Sequence, residues 1–187
     1  MARQQAVNGI DVGRLGKTLD ELREQPQLAR FRFRAHHEWI DGAHARTMIR
    51  GFYGAGEEDR SRKRPFVIEA DEPDVLLGRD HGPNATEALL HALAACLGAT
   101  FIYNAAAKGI EVEDLTLDLE GDIDMRGFLG ITRDVRRGFE RIRATFHVRA
   151  DASHEQLEEL ARLAQMRSPV FDNVTNPTPV EVRLETG

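Results

Sequence analysis

The stretch "EALLHALAACLGATFIYNAAAKG", Glu87 to Gly109, decides the fold. Asn84, with Glu87 three places on, has the form of a capping box, in which two side chains satisfy backbone N–H groups that a first helical turn leaves unpaired. A helix is therefore expected to open near Ala85 and to stop at Gly109. It is apolar almost all round. Leu89, Leu93, Cys96, Thr100 and Tyr103 share one stripe at three- and four-residue spacing. Glu87, His91, Ala94 and Gly98 share another, with Ala95 and Ala99 beside it. The small residues at 94, 95, 98 and 99 permit close approach by another backbone. A helix of this kind must be covered on most sides. One sheet and one further helix would strain to do so in a chain of 187 residues. A second copy across a two-fold axis does it easily, so a homodimer with this helix at its centre is expected.

Cys96 is the only cysteine. Free cysteine is among the most buried residue types and often acts as a small apolar filler. In mid-helix it gains nothing from the positive end of the helix dipole. A reactive thiolate there needs a cation from elsewhere in the fold. Arg46, Arg50, Arg79, His36, His37, His44 and His81 are the candidates. One cysteine cannot form an intrachain disulfide and gives no sign of an oxidising compartment.

Outward from the helix, the rest reads as antiparallel strands and two further helices. Residues 15–28, "LGKTLDELREQPQL", place Leu15, Leu19 and Leu22 on one helical face, with Pro26 as the stop. Phe31, Phe33 and Ala35 alternate with Arg30, Arg32 and Arg34, and Asp41-Gly42 is a strong hairpin signal. The run "EEDRSRKR" (57–64) reads as a charged loop and Pro65 opens a third strand. Beyond the central helix, Leu115, Leu117 and Leu119 line one strand. Ile142, Ala144, Phe146 and Val148 line the next, with Arg141, Arg143, His147 and Arg149 facing water. "DASHEQLEELARLAQM" is an amphipathic helix with Ser153 and Gln156 as its capping box and Leu157, Leu160, Ala161 and Ala164 as its buried stripe. "PVEVRLE" is expected as a closing strand after Pro177 and Pro179. The fold class is α+β, with antiparallel sheets packed around a long apolar helix. Residues 1–29 form a helical lead-in and 30–187 the main domain.

The formal net charge of −6 argues against nucleic acid or an anionic membrane as partner. No stretch is read as reaching membrane-spanning length without charge, and residues 1–16 lack the apolar core of a signal peptide, so a cytoplasmic protein is expected. No metal or cofactor is expected, since strand alternation scatters His36, His37 and His44 and no Cys/His cluster completes a site.

Two segments carry a family likeness: "GPNATEALLHALAACL" (82–97) and "SPVFDNVTNPTPV" (168–180). Together with the order of elements over residues 30–185 they resemble the OsmC/Ohr superfamily of osmotically inducible and organic hydroperoxide resistance proteins. The resemblance implies an intertwined homodimer with the two cysteine-bearing helices packed centrally. It also implies thiol-dependent reduction of organic hydroperoxides. Cys96 then corresponds to the nucleophile that attacks the O–O bond and becomes a sulfenic acid. In that family an arginine from the N-terminal hairpin keeps the thiolate ionised, a glutamate holds the arginine, and a second cysteine resolves the sulfenic acid.

Arg46 corresponds to the arginine. The glutamate position is shifted, because Thr86 stands in the usual place and Glu87 follows it. Nine helical positions separate Glu87 from Cys96, about 13 Å and half a turn, so Glu87 reaches that thiol only from the partner subunit. The second cysteine is replaced by Ser168, which either meets a substrate or ends a helix. Trp39 and Phe52 are candidates to line an apolar pocket. Two functions fit these residues: a one-cysteine peroxidase using a hydroperoxide and an external thiol, or a non-catalytic dimer holding a small apolar ligand.

Overall fold

Residues 6–187 are described by a computed structural model. In chain order the elements are β1 (Ala6–Val7), β2 (Ile10–Asp11), α1 (Val12–Glu24), β3 (Arg32–Phe33), β4 (His36–Asp41), β5 (His44–Ile49), β6 (Phe52–Gly54), β7 (Glu57–Asp59) and β8 (Phe66–Ala70). Then follow α2 (Ala85–Ala107), β9 (Val112–Asp122), α3 (Met125–Phe128), β10 (Arg141–Ala150), α4 (His154–Arg167) and α5 (Pro169–Thr175). They cluster into two units: Asp11–Leu89, and Ala6–Ile10 with Leu90–Gly187.

In the first unit Asp11 caps α1, its carboxylate accepting from the Arg14 N–H, and the helix closes at Glu24 ahead of Pro26. The Asp41-Gly42 turn forms as expected, with Gly42 at φ 58°, and joins β4 to β5. β8 adds to the other edge of β5 in the register Ala45↔Ala70 and Arg46↔Glu69. A second antiparallel sheet has the order β3-β6-β7. Its last strand corrects the sequence reading, since Glu57–Asp59 is not loop but pairs with β6 as Gly54↔Glu57 and Phe52↔Asp59. The cause is the two-residue turn Ala55-Gly56, both with positive φ (51° and 85°), whose twist matches a hairpin. Charge is tolerated there because β7 is an edge strand. Phe31, Phe33 and Phe52 stack with centroids 5.6–6.1 Å apart, and the Arg62 guanidinium lies over Phe52 and Phe66. Trp39 and Phe52 belong to different sheets, and Trp39 is exposed.

The second unit carries the larger core. β9 and β10 form a long antiparallel pair, with Leu117 opposite Phe146 and Leu115 opposite Val148. Their inward side chains pack with Leu93, Leu97, Phe101 and Ala105 of α2 and with Leu160 and Ala164 of α4. Ala144, expected to point inward with them, is exposed. The arginine face of the sheet is solvated and ion-paired: Arg143 with Glu120 and Asp122, Arg149 with Glu113, His147 with Asp118. Such exposed pairs contribute little to stability. The Ser153/Gln156 capping box opens α4 as read. Asn8 is fixed here too, its side chain bonding the Ile110 carbonyl and the Val112 N–H.

Two further expectations change. Residues 177–187 form no strand, and Val180, Val182 and Leu184 are exposed. Their alternation suits a strand, but they join neither edge of the β9–β10 pair. The central helix also departs from the charge argument, because residues 88–107 contain no Asp, Glu, Lys or Arg. By length and composition alone α2 is sufficient to cross a membrane. One of its faces, however, is taken up by the core just described. His91, Ala95, Ala99 and Tyr103, at four-residue spacing, remain exposed on another.

Candidate functional site

The start of α2 is built by Asn84. Its side-chain oxygen accepts from the N–H groups of Thr86 and Glu87 and from the Thr86 hydroxyl, while the Glu87 carboxylate accepts from the Asn84 N–H at 2.8 Å. Both residues at the shifted glutamate position are thus engaged in the cap. Asn84→Ala is expected to cost about 1 kcal/mol, read as a lower midpoint in urea at unchanged slope.

Cys96 lies about two and a half turns beyond Glu87. It is free and half-buried, on the shoulder of the helix between the covered Leu93–Leu97 face and the exposed Ala95–Ala99 face. Below it runs a ladder of polar contacts. The Thr100 hydroxyl donates to the Cys96 carbonyl at 2.7 Å, and the Asn104 amide donates to the Thr100 carbonyl at 2.7 Å. Arg167, at the end of α4, donates to the Asn104 side-chain oxygen. Ser168 follows and is buried, at 2% exposure. Its hydroxyl accepts from the Phe171 N–H at 3.1 Å, so the residue both ends α4 and opens α5. The helix-ending role of Ser168 is therefore the one its geometry displays.

Arg46 sits on β5 in the first unit, and strand register places Glu69 of β8 directly opposite. Arg46 Nε donates to Glu69 Oε1 at 2.7 Å, and His44 Nε2 meets Glu69 Oε2 at 3.0 Å. The Arg46 hydrogen bond, and after it that of His44, holds the Glu69 carboxyl below the usual carboxylate range. The His44 ring stacks on that of His81, centroids 4.3 Å apart and 10° from parallel. His81 Nδ1 lies 2.7 Å from Asp71, whose side chain is 2% exposed. Asp71 also accepts from the backbone N–H groups of Glu72, Arg79 and His81. One carboxylate thus ties together the loop that leads into α2.

These hydrogen bonds, the one from His81 foremost, lower the Asp71 pKa from 3.8 to about 2. A carboxylate whose folded pKa is depressed stabilises the fold above its ordinary pKa and loses that contribution as pH falls through the folded value. Wild-type stability is therefore expected to decline between pH 4 and pH 2 in a melting series. Asp71→Asn is expected to melt lower at pH 7 and to show a flatter decline across that window.

Of the expected residues, Arg46 and Glu87 lie in one unit and take different partners, Glu69 and Asn84. Cys96 and Ser168 lie in the other, with the Ser168 hydroxyl committed to α5. Sequence reasoning named His44 and His81 only as possible cations and missed Glu69 and Asp71. The signal for Glu69 is the β5–β8 register, which has no signature in the residue pattern.

A family model described as OsmC-like protein matches residues 78–183. No curated protein matches the chain. Among solved structures, an OsmC-like protein from Mycoplasma pneumoniae is similar, with a TM-score of 0.59 at 18% identity over 78% of this chain and 89% of that one. An OsmC-like protein of unknown function from Vibrio cholerae gives 0.51 at 17% identity, covering 75% and 92%. An organic hydroperoxide resistance protein from Legionella pneumophila gives 0.50 at 16%, covering 76% and 88%. At these identities the likeness concerns the fold.

Proposed function

We infer that, since this chain belongs to the OsmC-like protein family, it reduces organic hydroperoxides with Cys96 as its single peroxidatic cysteine. The observation that carries the reading is the placement of Cys96, a free, half-buried thiol on the long apolar helix of that fold. The thiolate attacks the peroxide's terminal oxygen, the O–O bond breaks, and the departing alkoxide takes a proton to leave as the alcohol, with Cys96 as sulfenic acid. No second cysteine exists to resolve it. An external thiol condenses with the sulfenic acid, releasing water and leaving a mixed disulfide. A second thiol then attacks that disulfide, restoring Cys96 and releasing the oxidised reductant. Arg46 is assigned to keep the thiolate ionised, as the family pattern implies, in a site formed between two subunits. A cytoplasmic setting supplies the reducing thiol.

A homodimer is part of this reading. Exposed apolar side chains support it: Ala95, Ala99 and Tyr103 at four-residue spacing on α2, and Phe33, Trp39 and Phe66 on strands of the first unit, the latter three at 71%, 72% and 61% exposure. Surfaces of this kind mark interaction sites in soluble proteins. The unpaired, alternating segment 180–184 is available for strand pairing with a second copy.

The test is stoichiometric cumene hydroperoxide followed by dimedone trapping and mass spectrometry. A Cys96 sulfenic acid adduct is the expected result. Its absence sinks the peroxidase reading, and an apolar ligand on the natively extracted protein would then favour the binding role.

A further inference from the structure

We propose that Glu69 is the positioning residue for Arg46, with the His44–His81 stack and the buried Asp71 fixing Glu69 in turn; the inference rests on Arg46 being the thiolate's cation. Arg46 has a glutamate directly opposite on each neighbouring strand, Glu38 on β4 and Glu69 on β8. Glu38 turns to His36 at 3.2 Å, whereas Glu69 takes Arg46. Glu87, the residue nearest to the family's arginine-holding position, is occupied by the Asn84 N–H.

The mode of contact matters. Glu69 uses only Nε of the guanidinium, and among the described residues neither Nη of Arg46 makes a hydrogen bond. The carboxylate therefore fixes the plane of the guanidinium from one edge and leaves its four remaining N–H donors for an anion such as a thiolate or a peroxide oxygen. A bidentate pair would have consumed that face. Glu69 is itself clamped. Its second oxygen meets His44, whose ring lies flat against His81, and His81 is anchored by the Asp71 carboxylate. The nearby Arg79 is taken by Asp41 at 3.3 Å and does not compete for Glu69. Contacts thus run unbroken from a side chain 2% exposed to a guanidinium side chain 44% exposed. A long, flexible arginine gains orientation from such a chain that its own packing does not provide.

The experiment uses the full-length protein, wild type, Glu69→Gln and Arg46→Met, with two readouts. The first is the rate of Cys96 oxidation by cumene hydroperoxide, with the pH profile of Cys96 alkylation. The second is the NMR signal of the Arg46 Nε–H in 15N-labelled protein. Glu69→Gln keeps shape and removes charge at a partly exposed position, so folding is retained. It is expected to slow oxidation about tenfold and to move the alkylation profile to higher pH, in the direction of Arg46→Met but less far. The Nε–H signal is expected to lose its protection from solvent exchange. A Glu69→Gln protein with wild-type rate, profile and Nε–H signal overturns the proposal. Should Arg46→Met leave Cys96 chemistry unchanged, the assignment of Arg46 to the thiolate falls. In that event the Nε–H signal alone decides the hold by Glu69, its loss supporting it and its persistence overturning it.

Discussion

Cys96→Ser is expected to lower thiol-dependent turnover of an organic hydroperoxide by about a thousandfold or more, to the uncatalysed background. The chemistry requires a nucleophile that accepts an oxygen atom and later returns it as water, and a hydroxyl does neither at neutral pH. No other residue takes over, because the chain holds no second thiol. The substitution is nearly isosteric at a half-buried position, so the fold is retained and the loss is chemical. The measurement is peroxide consumption with excess dithiothreitol, alongside thermal melts of both proteins. A serine variant that turned over at the wild-type rate would remove Cys96 from the mechanism altogether.

The largest effect on stability is expected from Phe101→Ala. Phe101 is fully buried and its ring lies 5.5 Å from that of Phe146, at the meeting of α2 with the β9–β10 pair. Truncation removes an aromatic side chain from a cluster that also contains Leu97, Leu160 and Ala164. Lost transfer energy and the cavity left behind together cost about 3–5 kcal/mol. That is a large share of the 5–15 kcal/mol typical of a domain. Chemical denaturation is expected to show the loss as a lower midpoint. A change under 1 kcal/mol would mean that the helix does not rest on the sheet at this point.

Much of this architecture is legible in the residues, because local chemistry specifies it. The Asn84–Glu87 and Ser153–Gln156 capping boxes and the Asp41-Gly42 turn each rest on contacts within a few positions, and each forms. The leucines of β9 and the stripe of α4 follow strand and helix periods and meet in one core. Where the reading went astray, non-local or unusual backbone chemistry was in control. The strand Glu57–Asp59 is hidden by its charge and depends on Ala55 in a left-handed conformation, which composition does not advertise. Val180, Val182 and Leu184 have the right alternation, yet a strand also needs an edge to join. The candidate site divides in the same way. Cys96 is marked by its helix, whereas the link from Arg46 through Glu69 to His44 exists only because β5 and β8 lie side by side in one register.

Ser168 shows what the missing second thiol means for the polypeptide as a jointed object. At residue 168 this chain carries the pivot between two helices, buried and bonded to the Phe171 N–H. A hydroxyl is a good acceptor for that amide and a sulfur atom is a weak one. Ser168 serves here as the elbow between α4 and α5. If Cys96 turns over as proposed, its regeneration falls to thiols in solution, and the rate of turnover is then expected to follow the thiol supply around the protein.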